Sequence, residues 1–256
     1  MSFATTDDHQ EIYFQAHGTG KTTLVFVSGY FGVANIWQPL ITRLNSKYRC
    51  IAYDSRGYGR SSKPLFADAY SVPRHAADLH AVLEACNVRD RIILITHSMG
   101  GNIAAEYYLT HPDNINGIIY TTTYFDGINI GKQLTLEALT SGVDSPSQCV
   151  AFYTNIGLDE ATALEAAKWP AHARRHNAKA LLAFQMGERY SQIRVPGLVI
   201  QGEKDPATPV EECARPIAQA MPSCRLEVLK GVVHFPPTEA PVEMERLIEE
   251  FLRGLF

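Results

Sequence analysis

The chain reads as a doubly wound α/β domain, a mostly parallel sheet covered by helices on both faces, with a helical insertion ahead of the last two strands. Three observations predict this. Short apolar runs such as Ile92-Ile93-Leu94-Ile95 alternate with longer stretches of helical spacing, and continuous apolar strands belong in a sheet buried on both sides. The 256 residues can bury a full core without disulfides. A composition of 46% hydrophobic and 20% charged residues with a net charge of −4 is that of a globular chain, which excludes disorder and collagen-like repeats.

The elements follow in order. Residues 11–16 and 24–27 predict early strands, and 33–45 a helix with Ile36, Leu40, Ile41 and Leu44 on one stripe. Residues 50–53 read as a strand, and 73–86 as a helix with Ala76, Leu79, Val82 and Leu83 facing inward. A strand over 91–96, a helix over 98–109 and a strand over 115–123 come next. The end of the chain predicts a strand at 197–201, a helix at 210–220, a strand at 224–229 and an amphipathic helix at 241–256. Between 125 and 190 no strand pattern is present; 161–169 and 171–186 are Ala- and Leu-rich and read as helices. The expected division is a core of residues 1–124 and 191–256 with a helical cap of 125–190.

Several partner classes are excluded at this level. No basic stripe points to nucleic acid, and no apolar run approaches the ~18 residues that span a bilayer. The opening residues lack a basic n-region and an apolar h-region, so no signal peptide is expected. Five scattered cysteines without C-x-x-C predict a reduced, cytoplasmic protein with free thiols. Cys213 and Cys224 read as small buried hydrophobes. The sequence leaves oligomeric state open.

The chemistry-bearing segment is Thr96-His97-Ser98-Met99-Gly100-Gly101, which joins a buried strand to a helix. A serine on such a turn is a weak nucleophile and needs a base, with a third group to orient that base. The segment resembles the nucleophile elbow of the α/β-hydrolase superfamily, G-x-S-x-G, with Thr96 in place of the first glycine. That resemblance implies the chain order serine, acid, histidine. Gly202-Glu203-Lys204-Asp205 resembles the acid loop, which makes Asp205 the acid, and Gly231-Val232-Val233-His234-Phe235 follows the last strand, where the family places its histidine. Some members carry the acid one strand earlier, where Asp126 stands. Val27-Ser28-Gly29-Tyr30-Phe31 occupies the place of the family's His-Gly oxyanion loop, with Ser28 instead of His. The resemblance implies the backbone N–H groups of Tyr30 and Met99 as oxyanion donors. Asp54-Ser55-Arg56-Gly57-Tyr58-Gly59-Arg60-Ser61 resembles a D-x-R-G-x-G-x-S turn, to which a structural role is given.

Two motifs are decoys. Gly18-Thr19-Gly20-Lys21-Thr22 lacks the upstream glycine of a phosphate loop and leads into a strand, so it reads as a tight turn. His172 and His176 share a helix face at i, i+4 but lack the glutamate of a zinc site and have Arg174 and Arg175 between them; they read as a solvated or pocket-edge face, and no metal or cofactor is expected.

The function these motifs imply is serine hydrolysis of a carboxylic ester or lactone through an acyl-enzyme on Ser98, with His234 as base and Asp205 orienting it. C–C bond hydrolysis of ring-cleavage products is an alternative within the same class, and perhydrolysis another. A small-molecule receptor of the same fold is the alternative from a different class. The expected partner is a small apolar or aromatic substrate in a pocket walled by Phe31, Tyr124, Phe125, Tyr153, Trp169 and Phe235. Phe152, Phe184 and Met186 are further candidates. Pro170 predicts a bend that turns Trp169 down over the elbow.

Overall fold

Apolar β-branched runs line up in the middle of one eight-stranded sheet. The structure, a computed structural model, describes residues 2–30 and 32–255. The strands are β1 (Ser2–Thr5), β2 (Glu11–His17), β3 (Thr23–Val27), β4 (Arg49–Tyr53), β5 (Ile92–His97), β6 (Ile115–Thr121), β7 (Gly197–Gly202) and β8 (Cys224–Leu229), ordered β1-β2-β4-β3-β5-β6-β7-β8. β1 pairs antiparallel with β2, and β2 with β4, at one edge, while β3 through β8 run parallel to one another. Every residue of β3, β5 and β7 is buried, as a sheet covered on both faces requires.

The covering helices are α1 (Gln38–Leu44), α2 (Val72–Ala85), α3 (Met99–Thr110), α4 (Gly127–Gly131), α5 (Leu136–Thr140), α6 (Pro146–Asn155), α7 (Glu160–Ala166), α8 (Ala171–Ala183), α9 (Arg215–Ala220), α10 (Pro236–Glu239) and α11 (Pro241–Arg253). Residues 34–37 form a turn of 3₁₀ helix ahead of α1, and 210–214 a π-helical turn ahead of α9. Two cores result. One packs α2 and α3 on the sheet through Leu79, Val82, Leu94 and Ile103. The other packs α1 and α11 on the opposite face through Leu40, Ile41, Ile93, Leu247 and Ile248.

The structure adds β1, an edge strand whose Ala4 is buried while Phe3 is exposed. It also resolves the stretch between β6 and β7 into five helices, α4 to α8, of which α4, α5 and α6 have no counterpart in the expected pattern. Asp126, Thr135 and Asp159 accept hydrogen bonds from the backbone at the starts of α4, α5 and α7, which satisfies orphan N–H groups there. Pro170 does break the helical run: it is the residue before α8. All five cysteines are unpaired, Cys213 buried and Cys224 half-buried.

Two motifs take structural roles. The 18–22 segment turns between β2 and β3 with no helix following. In the turn after β4, Asp54 accepts from the N–H groups of Ala34 and Arg60, and Arg56 is buried between Asp78 and Asp8.

Candidate active site

The parallel registers bring the carboxyl ends of β5, β6, β7 and β8 to one edge, where His97 pairs with Thr121, Thr121 with Ile200 and Gly202 with Leu229. Ligand sites in open α/β sheets lie at this edge. Ser98, Asp205 and His234 stand in the turns leaving β5, β7 and β8.

Ser98 occupies the head of α3 with φ 53° and ψ −123°, a left-handed backbone that costs a non-glycine residue of order 1–3 kcal/mol. The surroundings hold it there. Ser98 N–H donates to Thr121 O at 2.9 Å, and Thr123 Oγ1 donates to Ser98 O at 3.0 Å. Gly100 lets α3 approach β3: a Cβ there would lie 2.1 Å from the Val27 carbonyl oxygen. Gly29 is needed for the same reason, since a Cβ on it would fall 2.7 Å from the Met99 nitrogen.

His234 Nδ1 lies 2.7 Å from Asp205 Oδ2. An ionised carboxylate only accepts, so Nδ1 carries the hydrogen and Nε2 is left with a lone pair. Asp205 is held by four further donors: Ala207 N–H, Thr208 N–H, Thr208 Oγ1 and Gln201 Nε2. Burial by itself pushes the Asp205 carboxyl up; the His234 imidazole and the Thr208 hydrogen bonds outweigh it and hold the group below the usual carboxylate value. Asp126 has a different task. Its side chain accepts from Asn129 N–H and caps α4, and Asp205 is the carboxylate that meets the histidine.

Two residues outside the expected set fix the His234 backbone. His97 Nε2 lies 2.8 Å from the His234 carbonyl oxygen, and Thr122 Oγ1 donates to the same oxygen at 3.0 Å. Burial, followed by repulsion from His234, lowers His97 to about 3, so it stays a neutral donor. From the helical side, His234 N–H donates to Ile156 O at 3.2 Å. Glu239 accepts from the N–H groups of Val233 and Phe235 on either side.

Met99 N–H is at the first turn of α3, where no intrahelical acceptor exists. Among the described residues, neither it nor Tyr30 N–H donates to a backbone carbonyl outside a helix or strand. Ser28, at the family's histidine position, closes this loop itself: its hydroxyl donates to Val33 O and accepts from Trp37 Nε1.

A cavity of about 230 Å³ opens at this edge, lined by Ser98, His234, Tyr30, His97, Tyr124, Tyr153 and Phe235 together with Phe152 and Thr208. Ile130, Leu134, Leu139, Ile156 and Leu181 complete it from the helices between β6 and β7. Two expected wall residues stand elsewhere. Trp169 packs edge-on against Tyr58 at 4.7 Å and lies 6.5 Å from Tyr153, so the bend at Pro170 turns the indole onto a neighbouring ring and not over the elbow. Phe125 packs on Tyr190 at 5.0 Å and is not among the residues that line the cavity. Phe184 and Met186 are core residues as well. Phe31 lies outside the described residues.

His172 and His176 are both partly exposed, and His176 lines a surface pocket. Their Nε2 atoms meet the carbonyls of Lys63 and Leu65, mooring α8 to the loop after the β4 turn. Arg174, between them, points inward and is buried. Alternation along a helix was the signal available for it: with both histidines facing a loop, a residue at i+2 points to the opposite side.

A family profile described as the α/β hydrolase fold matches residues 22–136. A RutD protein of Caulobacter sp. (strain K31), itself named a carbamate hydrolase by inference, is 25% identical over 95% of this chain and 96% of its own. A non-heme chloroperoxidase of Kitasatospora aureofaciens is 26% identical over 91% and 92%. The solved structure of Est816, described as an N-acyl homoserine lactone degrading enzyme, superposes with a TM-score of 0.82 at 25% identity, covering 98% of this chain and 100% of that one. Over residues 22–136 the chain is similar to the α/β-hydrolase fold family, and its whole fold is similar to that of the solved structure. No helix among the described residues is long and apolar enough to cross a membrane.

Proposed function

We propose that the protein hydrolyses a carboxylic ester or lactone of a small, largely apolar substrate through an acyl-enzyme on Ser98. The observation that carries this reading is the 2.7 Å contact of His234 Nδ1 with Asp205, made by a histidine that lines the same cavity as Ser98. In the reaction, Ser98 Oγ attacks the carbonyl carbon as His234 Nε2 takes its proton. The N–H groups of Tyr30 and Met99 receive the developing oxyanion. His234 then returns the proton to the leaving alcohol, and water repeats the sequence on the acyl-enzyme. Asp205 keeps its charge throughout and orients the imidazole. Residues 125–190 serve as the cap, because they supply most of the apolar lining.

The relatives support a carbonyl-centred substrate to the extent of their names: a carbamate and a lactone both present an acyl carbon bonded to a heteroatom. The test is labelling with a fluorophosphonate. Intact mass is expected to show one adduct, mapped to the peptide holding Ser98. Ser98→Ala is expected to lose the adduct and about 10⁴–10⁶ in kcat on 4-nitrophenyl esters. Full activity in folded Ser98→Ala protein would overturn the reading.

A further inference from the structure

The chain buries two arginines completely and treats them differently. Arg56 is clamped by both oxygens of Asp78 and by Asp8, and also donates to Ala69 O. Arg174, on α8 and 1% exposed, makes no ion pair among the described residues. Its Nη1 donates to Cys149 Sγ at 2.9 Å, while Nε and Nη2 have no hydrogen-bond partner among the described residues. Burial keeps the Cys149 thiol above its usual value despite the adjacent cation, so the sulfur is neutral. The other groups facing Arg174 are the phenols of Tyr30, Tyr58 and Tyr153. Burial raises all three, Tyr30 to about 12. A guanidinium remains charged in such surroundings, and a buried charge without a counter-charge is among the costliest features a fold can hold.

The cation stands against the substrate cavity. Its central carbon is 5.6 Å from the centre of the Tyr153 ring, and Tyr153 and Tyr30 line the cavity beside Ser98 and His234. Leu181, two turns along the same face of α8, lines it too. Coulomb attraction in a weakly polar interior reaches through the width of one ring. Tyr30 O–H, which donates to Leu139 O at 2.9 Å, needs only to rotate to meet an acceptor placed in the cavity.

We propose that the end of the cavity walled by Tyr30 and Tyr153 takes an anionic group of the substrate, a carboxylate carried at a distance from the scissile bond, with Arg174 as its counter-charge. This rests on the acyl-enzyme reading of Ser98 and narrows its substrate class to an apolar body with an acidic end. Neither the apolar lining nor the elbow calls for a cation here. The unmatched charge does.

The test compares mono-4-nitrophenyl glutarate with 4-nitrophenyl pentanoate, which share chain length and leaving group and differ in the terminal carboxylate. The wild-type protein is expected to favour the glutarate by about tenfold or more in kcat/KM, and Arg174→Met to bring that ratio close to one. Glutarate is also expected to slow fluorophosphonate labelling of wild-type Ser98 at concentrations where pentanamide does not, a readout that needs no variant to fold. Equal turnover of the two esters, equal protection by the two ligands, or an unchanged ratio in Arg174→Met would overturn the proposal. Labelling of Ser98 without acid preference sinks this inference alone, whereas no labelling in the wild type sinks the Ser98 reading and this one with it.

Discussion

Around the cavity, Ser98, Asp205 and His234 stand on turns that leave strands at a common edge. Ile130, Leu139, Phe152 and Leu181, in contrast, hang from α4, α5, α6 and α8, which have no strand among them. The first region is fixed by backbone: parallel registers, close glycine contacts and a carboxylate saturated with donors. The second is fixed by individual side-chain tethers to the core. Among them are Tyr30 to Leu139 O, His75 to Asn177, His172 to Lys63 O and His176 to Leu65 O. The difference teaches that the location of the chemistry is written in local pattern, while the shape of the space above it depends on long-range pairs.

Exchanging the acids tests the first region most severely. Asp205→Asn keeps the volume but can offer an N–H where His234 needs an acceptor, and a loss of about 10³–10⁴ in kcat is expected. Asp126→Asn retains a good cap on α4, and its kcat and stability are expected to stay close to wild type. The opposite ranking in steady-state assays would move the acid into the helical region.

Trp169 tests the second region. Its ring is buried on Tyr58, so Trp169→Ala is expected to cost about 3–5 kcal/mol in urea unfolding and to lower kcat/KM by one common factor for short and long esters. A loss confined to large esters would place the indole in the cavity wall.

The smallest effect compares a histidine from each region. Burial lowers His97 to about 3 and His75 to about 4; His75 meets Asn177 of α8 at 2.7 Å. In the unfolded chain both take up protons near pH 6.5. Stability is therefore present above about pH 6.5 and lost as pH falls toward 4, by on the order of 3 kcal/mol per group. Urea midpoints at about pH 7 and pH 4.5 are expected to fall in the wild type and to fall less steeply in His75→Gln. An equal slope would show that the tether from α2 to α8 does not titrate with folding.

The same contrast governs what could be read from the sequence. Strand–turn–helix order around Ile92–Ser98 is a local signal, and it led to β5 and α3 with boundaries within a residue or two. Asp205 and His234 were reached through the family resemblance, and their side chains stand 2.7 Å apart. β1 escaped because Ser2–Thr5 is a short polar edge strand with little apolar alternation to detect. α4 and α5 escaped because five-residue helices, one with glycine at both ends, carry no periodicity. Trp169 and Phe125 were misplaced because a bend predicts that a ring turns, and only its partners, Tyr58 and Tyr190, determine where. Arg174 was hidden by its neighbours: in the run His172-Ala173-Arg174-Arg175-His176, composition alone suggests a wet surface.

The positive φ of Ser98 sets the proposed nucleophile at odds with its own fold. Glycine would sit at that angle without strain, so the backbone here gives up stability to hold a hydroxyl at the edge of the cavity.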